Sequence, residues 1–372
     1  MTCQEPKEEP VVLDQPENKI RPFFSIIISC YNSGKTIGRL LDSILRQDLE
    51  KDEFEVVISD DHSTEPYVDI LKQYQDKINF VFTMTEYNCC PGNTREAGAQ
   101  AATGEWLCFS DHDDEFIDGA LRKVKDHIIE NNIKYFVVTD FYEVDEDTHK
   151  PLKHFTDVTN GWTHGRFYNN DNLWKRYDVH YKKDLMSHED IYLTCTIDCI
   201  GEKLAKTGTV FKYHYELDTY LWHHKHDSLS HRDYDGTIFL EKHFTDYLES
   251  TLTVYIDNYL KGITTFEYAE KHIMDTLPIA YFYFESFEFY GFDQYREQNV
   301  EWLRNFFSRI KELFYINNYR IWYWCAKTNA LIFGEAYPKA QIATGYFIPT
   351  RTFGDWIQYL SPEEDFVPSL YF

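Results

Sequence analysis

The sequence predicts an α/β fold, a mostly parallel sheet with helices on both faces, followed by a mainly helical C-terminal domain. Three observations carry this expectation. From Phe23 to about residue 145, apolar strand-like runs alternate regularly with helical segments. The runs are apolar at every position, as in strands buried on both faces, and strands that alternate with helices form parallel sheets. After Gly236 the character changes to long amphipathic stretches such as "FLEKHFTDYLESTLTVYIDNYL" and "NVEWLRNFFSRIKELF", which have helical periodicity.

The elements follow in order. "FFSIIISC" is the first strand, and "KTIGRLLDSILRQ" is a helix with Ile37, Leu40, Leu41, Ile44 and Leu45 on one face. "FEVVISDD" is a second strand, Val68 to Gln75 a short helix and "INFVFTM" a third strand. "NTREAGAQAA" is helical, "EWLCFSD" a fourth strand, "ALRKVKDHIIENN" a helix and "YFVVTDFYEV" a fifth strand. From about Pro151 to Arg232 the pattern is irregular and rich in His, Trp and Tyr, which predicts loops and short helices that complete a cleft. The expected layout is a disordered lead-in over 1–21, an α/β domain over 22–235 and a helical domain over 236–372. The apolar faces of those C-terminal helices either serve self-association or the docking of a partner, or simply pack on the α/β domain.

Composition narrows the function. Of 372 residues, 27% are charged, 43% hydrophobic and 17% aromatic, which describes a folded chain with a core rich in Tyr and Phe. The formal net charge of -25 sets a field that repels phosphate backbones, so nucleic acid is not an expected partner. The eight cysteines contain no CxxC pair and fit a reducing cytosol. The polar, acidic N-terminus has no apolar h-region, and no apolar run approaches the roughly 20 residues that span a bilayer. The expected location is cytoplasmic, with peripheral visits to a membrane.

One stretch, "WLCFSDHDDEF" from Trp106 to Phe116, runs from a strand into three aspartates and a glutamate. Carboxylates so close raise one another's pKa unless a cation or hydrogen-bond donors offset the repulsion. A solvated acidic turn and a metal site at a strand end are both readings of it. An EF-hand starting at Asp111 would need glycine where Phe116 stands. A phosphatase-like DxDx(T/V) would need Thr or Val where Glu115 stands, which leaves it a weaker alternative. "NSGKT" at Asn32 to Thr36 lacks the leading glycine of a P-loop, since that position holds Ser29.

"FSIIISCYN", "VVISDDHST" and "NCCPGNTREAGAQAATGEWLCFSDHDD", in that order, resemble the family 2 nucleotide-sugar glycosyltransferases of GT-A fold. The family pattern is a strand ending in Y-N, a DDxS turn, an A-R-N-x-G helix and a DxDD strand end. The resemblance covers about Phe23 to Arg232 and implies a Rossmann-like GT-A domain. It also implies a divalent cation, Mn²⁺ or Mg²⁺, which neutralises the charge on a leaving diphosphate. Asp113 is then the direct metal ligand, Asp111 faces the metal or the ribose, and Asp114 supports them. Tyr31, Asn32, Asp60 and Asp61 correspond to donor-binding positions, the D-D turn meeting uracil and ribose. The same D-D-x-S-T sequence also caps a helix. Arg95 corresponds to an arginine near the diphosphate or base, although Glu96 replaces the usual Asn, and a surface ion pair is its other reading.

"YLWHHKHDSLS" resembles the family's Y-R flap, with Trp222 and His223 in place of the Y-R pair, so His223 and Lys225 are candidate diphosphate contacts. A structural or surface histidine cluster is the alternative there. "MSHEDIYL" resembles the family's E-D motif, in which Asp190 is the base and Glu189 orients the loop or the acceptor. Ser187 three residues before an acid is also a helix-capping signature. The resemblance implies transfer, commonly inverting, from a nucleotide-sugar donor, expected to be UDP-linked. The acceptor is a hydroxyl of a glycan, lipid-linked or protein partner, in the synthesis of glycan or cell-surface polysaccharide. A non-catalytic nucleotide- or glycan-binding module of the same fold is the competing reading. Donor sugar and acceptor depend on loop shapes that motif residues do not fix.

Overall fold

The computed structural model describes residues 21–88, 90–156, 162–224 and 245–273, with isolated positions from 275 to 309. The lead-in before Arg21, the flap residue Lys225 and most of the helical region after residue 236 lie outside the described residues. The described residues fall into two compact units. One takes 21–156, 163–178 and 212–224, and the other takes 162, 179–211 and the described positions from 245 onward.

The first unit is built on a nine-stranded sheet. Its strands are β1 (Phe24–Cys30), β2 (Phe54–Asp60), β3 (Phe80–Met84), β4 (Trp106–Asp111), β5 (Glu115–Phe116), β6 (Phe136–Asp145), β7 (Pro151–Phe155), β8 (Arg166–Asn169) and β9 (Lys212–His224). The order is β3-β2-β1-β4-β8-β6-β9-β5, with β7 paired to β6. The pairs β1–β2, β1–β4, β2–β3 and β6–β9 are parallel, whereas β5–β9 and β6–β7 are antiparallel. Helices α1 (Ile37–Leu45), α2 (Val68–Lys72), α3 (Pro91–Ala101) and α4 (Ala120–Glu130) alternate with the strands. On α1 the apolar period reads 3.6, and Ile37, Leu40, Leu41 and Ile44 are buried. Helix α3 lies so close to the sheet that a Cβ on Gly98 would sit 2.4 Å from Ile27 Cγ2, which fixes glycine at that contact.

The segment from Pro151 to Arg232 departs from the irregular chain expected there. It supplies β7, β8, β9 and the 17-residue helix α5 (Glu189–Ala205). The short β8 lies between β4 and β6, antiparallel to both, so "YFVVTDFYEV" is not the neighbour of the fourth strand and the sheet is mixed.

The second unit contains α5 and α6 (Val254–Leu260). Asp257 binds them together: its carboxylate accepts from Lys182 Nζ and Tyr192 Oη, both at 2.8 Å, and from Arg309 at 3.0 Å. Among the described residues no helix is long and apolar enough to cross a membrane.

Candidate functional site

Strand register brings the candidate residues of the first unit together. Cys30 pairs with Asp60 across β1 and β2, and Ser29 pairs with Asp111 across β1 and β4. The carboxyl ends of the three strands therefore lie side by side, where open α/β sheets bind ligands.

At the first of these ends, Asn32 adopts a left-handed conformation (φ 51°). Its Oδ1 accepts from Thr64 N at 2.8 Å and Glu65 N at 3.0 Å, while its own N–H donates to Ser63 Oγ at 2.9 Å. Asp60 is buried and accepts from Ser63 N at 2.8 Å, Ser63 Oγ at 2.7 Å and the Tyr67 hydroxyl. Asp60 thus holds the turn together, as the turn chemistry of D-D-x-S-T anticipates. Asp61 accepts from Thr85 Oγ1 at 2.8 Å and from Asn88 Nδ2 at 3.2 Å. Tyr31 stands 46% exposed beside this turn in sequence. Burial pushes the neighbouring Cys30 thiol up to about 12, so it is an inert core group.

At the end of β4, Arg95 reaches from α3 to Asp111 Oδ1 at 2.7 Å, and Ser29 Oγ donates to the same oxygen at 3.1 Å. Arg95 is 7% exposed, so it is a buried partner of the aspartate loop and not a surface ion pair. Burial would raise the Asp111 pKa, but the Arg95 charge overrides it and holds the carboxyl well below the usual range. Asp114 behaves in the opposite way. It is fully enclosed, accepting from Tyr220 Oη and His223 N at 2.8 Å each, and burial together with the Asp113 and Asp111 charges raises its pKa well above the ordinary value. The Tyr220 hydroxyl also accepts from Asp111 N at 3.1 Å. The His164 ring stacks on Tyr220 with centroids 4.8 Å apart. Burial, opposed by the Asp111 charge, brings its pKa down to about 4.

Asp111 and Asp113 are carboxylate donors of the kind Mg²⁺ and Mn²⁺ take. Among the described residues, one ligand atom each from Asp111, Asp114 and His164 lies within 4.8 Å of the other two, so carboxylate donors of the kind a hard divalent ion takes stand at the end of β4.

His223 lies on β9, inside the first unit. Its side chain is fully buried, with Nε2 3.1 Å from Glu115 and Nδ1 3.0 Å from Glu146. Burial, reinforced by the Arg39 charge and opposed by the two glutamates, lowers its pKa. Arg39 also binds Glu146 at 3.1 Å and donates to the Asp113 carbonyl.

Glu189 and Asp190 open α5 in the second unit, after His188 in a left-handed conformation (φ 62°). Asp190 Oδ1 accepts from Ile191 N at 2.8 Å. Ser187 does not cap the helix. Its hydroxyl bonds His188 Nδ1 at 2.9 Å, and the Met186 and Ser187 N–H groups donate to Asp246.

Sequence reasoning missed Tyr67, Tyr220, His164 and Arg39. Tyr220 lies 106 residues from the Asp114 it binds, and an aromatic residue inside a strand carries no local sign of such a role.

Residues 25–187 match the sequence family described as Glycosyl transferase family 2. The match covers this segment, which is less than half of the chain. The family match ends just short of Glu189 and Asp190. The poly(ribitol-phosphate) beta-N-acetylglucosaminyltransferase TarS of Staphylococcus aureus is 42% identical over 92 residues, 24% of this chain and 16% of that protein. A poly(ribitol-phosphate) beta-glucosyltransferase of Bacillus spizizenii is 38% identical over 92 residues, 24% of this chain and 14% of that protein. The matched stretch therefore spans about a sixth of the length of the first of these relatives. The crystal structure of S. aureus TarS 1–349 in complex with UDP superimposes with a TM-score of 0.57 at 19% identity, covering 92% of each chain. This likeness shows the fold, a GT-A-like α/β arrangement.

Proposed function

We propose that this chain is a family 2 glycosyltransferase that moves a sugar from a UDP-linked donor to an acceptor hydroxyl, with inversion and with the help of Mn²⁺ or Mg²⁺. The observation that supports it best is the convergence of Asn32, Asp61, Arg95 and Asp111 at the adjoining carboxyl ends of β1, β2 and β4. Two relatives named for poly(ribitol-phosphate) and a TarS structure solved with UDP-GlcNAc favour a UDP-sugar donor. They also favour an acceptor of polyol-phosphate type from a cell-wall polymer.

In this reading Tyr31, Asn32 and Asp61 receive the nucleoside, and Asp60 builds the turn that presents them. Asp113, with Asp111, holds the cation, which supplies charge neutralisation at the diphosphate. Arg95 keeps Asp111 ionised and oriented, and Arg39 fixes the Asp113 main chain. Asp190 takes the proton from the acceptor hydroxyl as the new C–O bond forms, and Glu189 orients that region.

The test is a donor-hydrolysis screen over several nucleotide sugars with and without Mn²⁺, coupled to calorimetry of UDP binding. Wild type should bind UDP more tightly with Mn²⁺, and Asp113→Ala should lose most of that dependence. Equal Mn²⁺-dependent affinity in the variant overturns the metal assignment, and no hydrolysis or binding of any nucleotide sugar overturns the donor reading.

A further inference from the structure

We propose that Asp140, His154, His214 and Asp218 form a second metal site, suited to zinc, on the β6–β7–β9 part of the sheet. Asp140 lies on β6, His154 on β7, and His214 and Asp218 on β9. One ligand atom each from Asp140, His154 and Asp218 lies within 4.8 Å of the other two. His154 Nε2 is 2.6 Å from Asp218 Oδ1, and His214 Nε2 is 2.7 Å from Asp140 Oδ1.

The backbone departs from regularity to bring these groups together. In a regular strand His214 and Asp218 would stand about 13 Å apart, at roughly 3.3 Å per residue. Here the register between β6 and β9 shifts on both sides of Asp140, so that Asp218 is its direct partner while His214 reaches the same carboxylate. Bulges that re-aim side chains in this way recur beside functional sites. His154 comes in from the other flank of β6, where it pairs with Tyr142, and the Tyr142 ring stacks on it at 4.2 Å and 14°. That stack sets the imidazole plane, as the outer shell of a metal site does.

The charge balance also separates this cluster from its neighbour. Glu115, His149 and His223 could be grouped in the same way. There, however, Arg39 lies 3.7 Å from Glu115 and Arg46 3.5 Å from it, so guanidinium groups already supply the cation. Among the described residues neither Asp140 nor Asp218 pairs with a lysine or arginine. The clustered imidazole nitrogen and two carboxylate oxygens, with the His214 imidazole on Asp140 as the fourth donor, make a zinc donor set, whereas Mg²⁺ and Ca²⁺ prefer oxygen alone. On binding, the metal takes the lone pair of each Nε2, and the hydrogen now shared with a carboxylate moves to Nδ1 or to solvent. Asp140 is buried, while His154, His214 and Asp218 remain partly exposed and give the ion a way in. The ion would tie the β6–β7 hairpin to β9 two residues before Tyr220.

The test uses the full chain stripped of metal by chelation, titrated with Zn²⁺ by calorimetry and with Co²⁺ by visible absorption. Wild type should take up Zn²⁺ saturably and give the intense Co²⁺ bands of a tetrahedral site. His154→Ala and His214→Ala should each weaken this site by at least about 100-fold, since even outer-shell losses cost 10- to 100-fold. Asp113→Ala should retain it. The partly exposed His154 and His214 keep the test decisive even if the buried Asp140→Asn fails to fold. Zinc held by other members of the chain's 15 histidines would leave His154→Ala and His214→Ala unchanged, and that result, or no saturable uptake, overturns the proposal.

Discussion

Replacing Arg95 with methionine tests the electrostatic account of the aspartate loop. Two unit charges about 4 Å apart attract by roughly 4 kcal/mol at an effective dielectric near 20. Deleting one member of a buried pair typically costs about 3–5 kcal/mol, because the other charge is left uncompensated. The Asp111 side chain is 30% exposed and keeps the Ser29 bond, so water and that hydroxyl recover part of the loss. The expected cost is about 2–3 kcal/mol. At about 2–4 °C per kcal/mol for a domain of 150–250 residues, the first unit should melt about 4–12 °C lower. The double variant Arg95→Met/Asp111→Asn should regain at least about 1 kcal/mol, which a double-mutant cycle reads as coupling. The pH dependence has a definite sign. The folded pKa of Asp111 is depressed, so its contribution is complete above the ordinary value of 3.8 and is lost as pH falls below it. The gap between wild type and Arg95→Met should therefore be widest near neutral pH and close below about pH 4. A loss under about 0.5 kcal/mol at pH 7, or a double variant no more stable than the single, would refute the reasoning.

Two further outcomes follow from other parts of the chain. Asp190→Asn keeps an oxygen for the Ile191 N–H, so it should fold and bind UDP with Mn²⁺ like wild type while transfer falls by about 10²- to 10⁴-fold. Steady-state kinetics beside UDP calorimetry distinguishes this from mere helix capping, which is worth only about 0.5–1 kcal/mol of stability. Gly98→Ala drives a methyl group to 2.4 Å from Ile27 Cγ2 and 3.2 Å from Ser59 Cβ. Overpacking of this kind costs about 1–3 kcal/mol, of which the better helix propensity of alanine returns about 1. A melting point equal to or above wild type would show that α3 is not pressed against the sheet as described.

The half of the sheet from β3 to β4 was legible because β1, β2 and β4 are buried on both faces, and helices such as α1 show their period locally. The other half was not. β8 is the four residues Arg166–Asn169, too short to show a period. Its place between β4 and β6 is settled by pairing with residues about 30 and 60 positions away. β9 alternates poorly because its bulge breaks the two-residue repeat. Within the site, the aspartates announced themselves by charge. The groups that make their crowding tolerable, Arg95 apart, are a tyrosine, a histidine and an arginine distant in sequence. The contacts of His223 with Glu115 and Glu146 were likewise out of reach, since the two glutamates lie about 108 and 77 positions away in sequence.

The three residues between β4 and β5 are anchored at both ends in one sheet, by β4 against β1 and by β5 against Tyr220 and Leu221 of β9. Adding or removing a residue there would slip one of those registers and turn every side chain beyond it to the opposite face. Over evolutionary time this stretch can therefore change its letters more readily than its length. Gains and losses of residues should collect instead in turns such as the one between β6 and β7, where a two-stranded hairpin can lengthen without disturbing the strands that carry the aspartates.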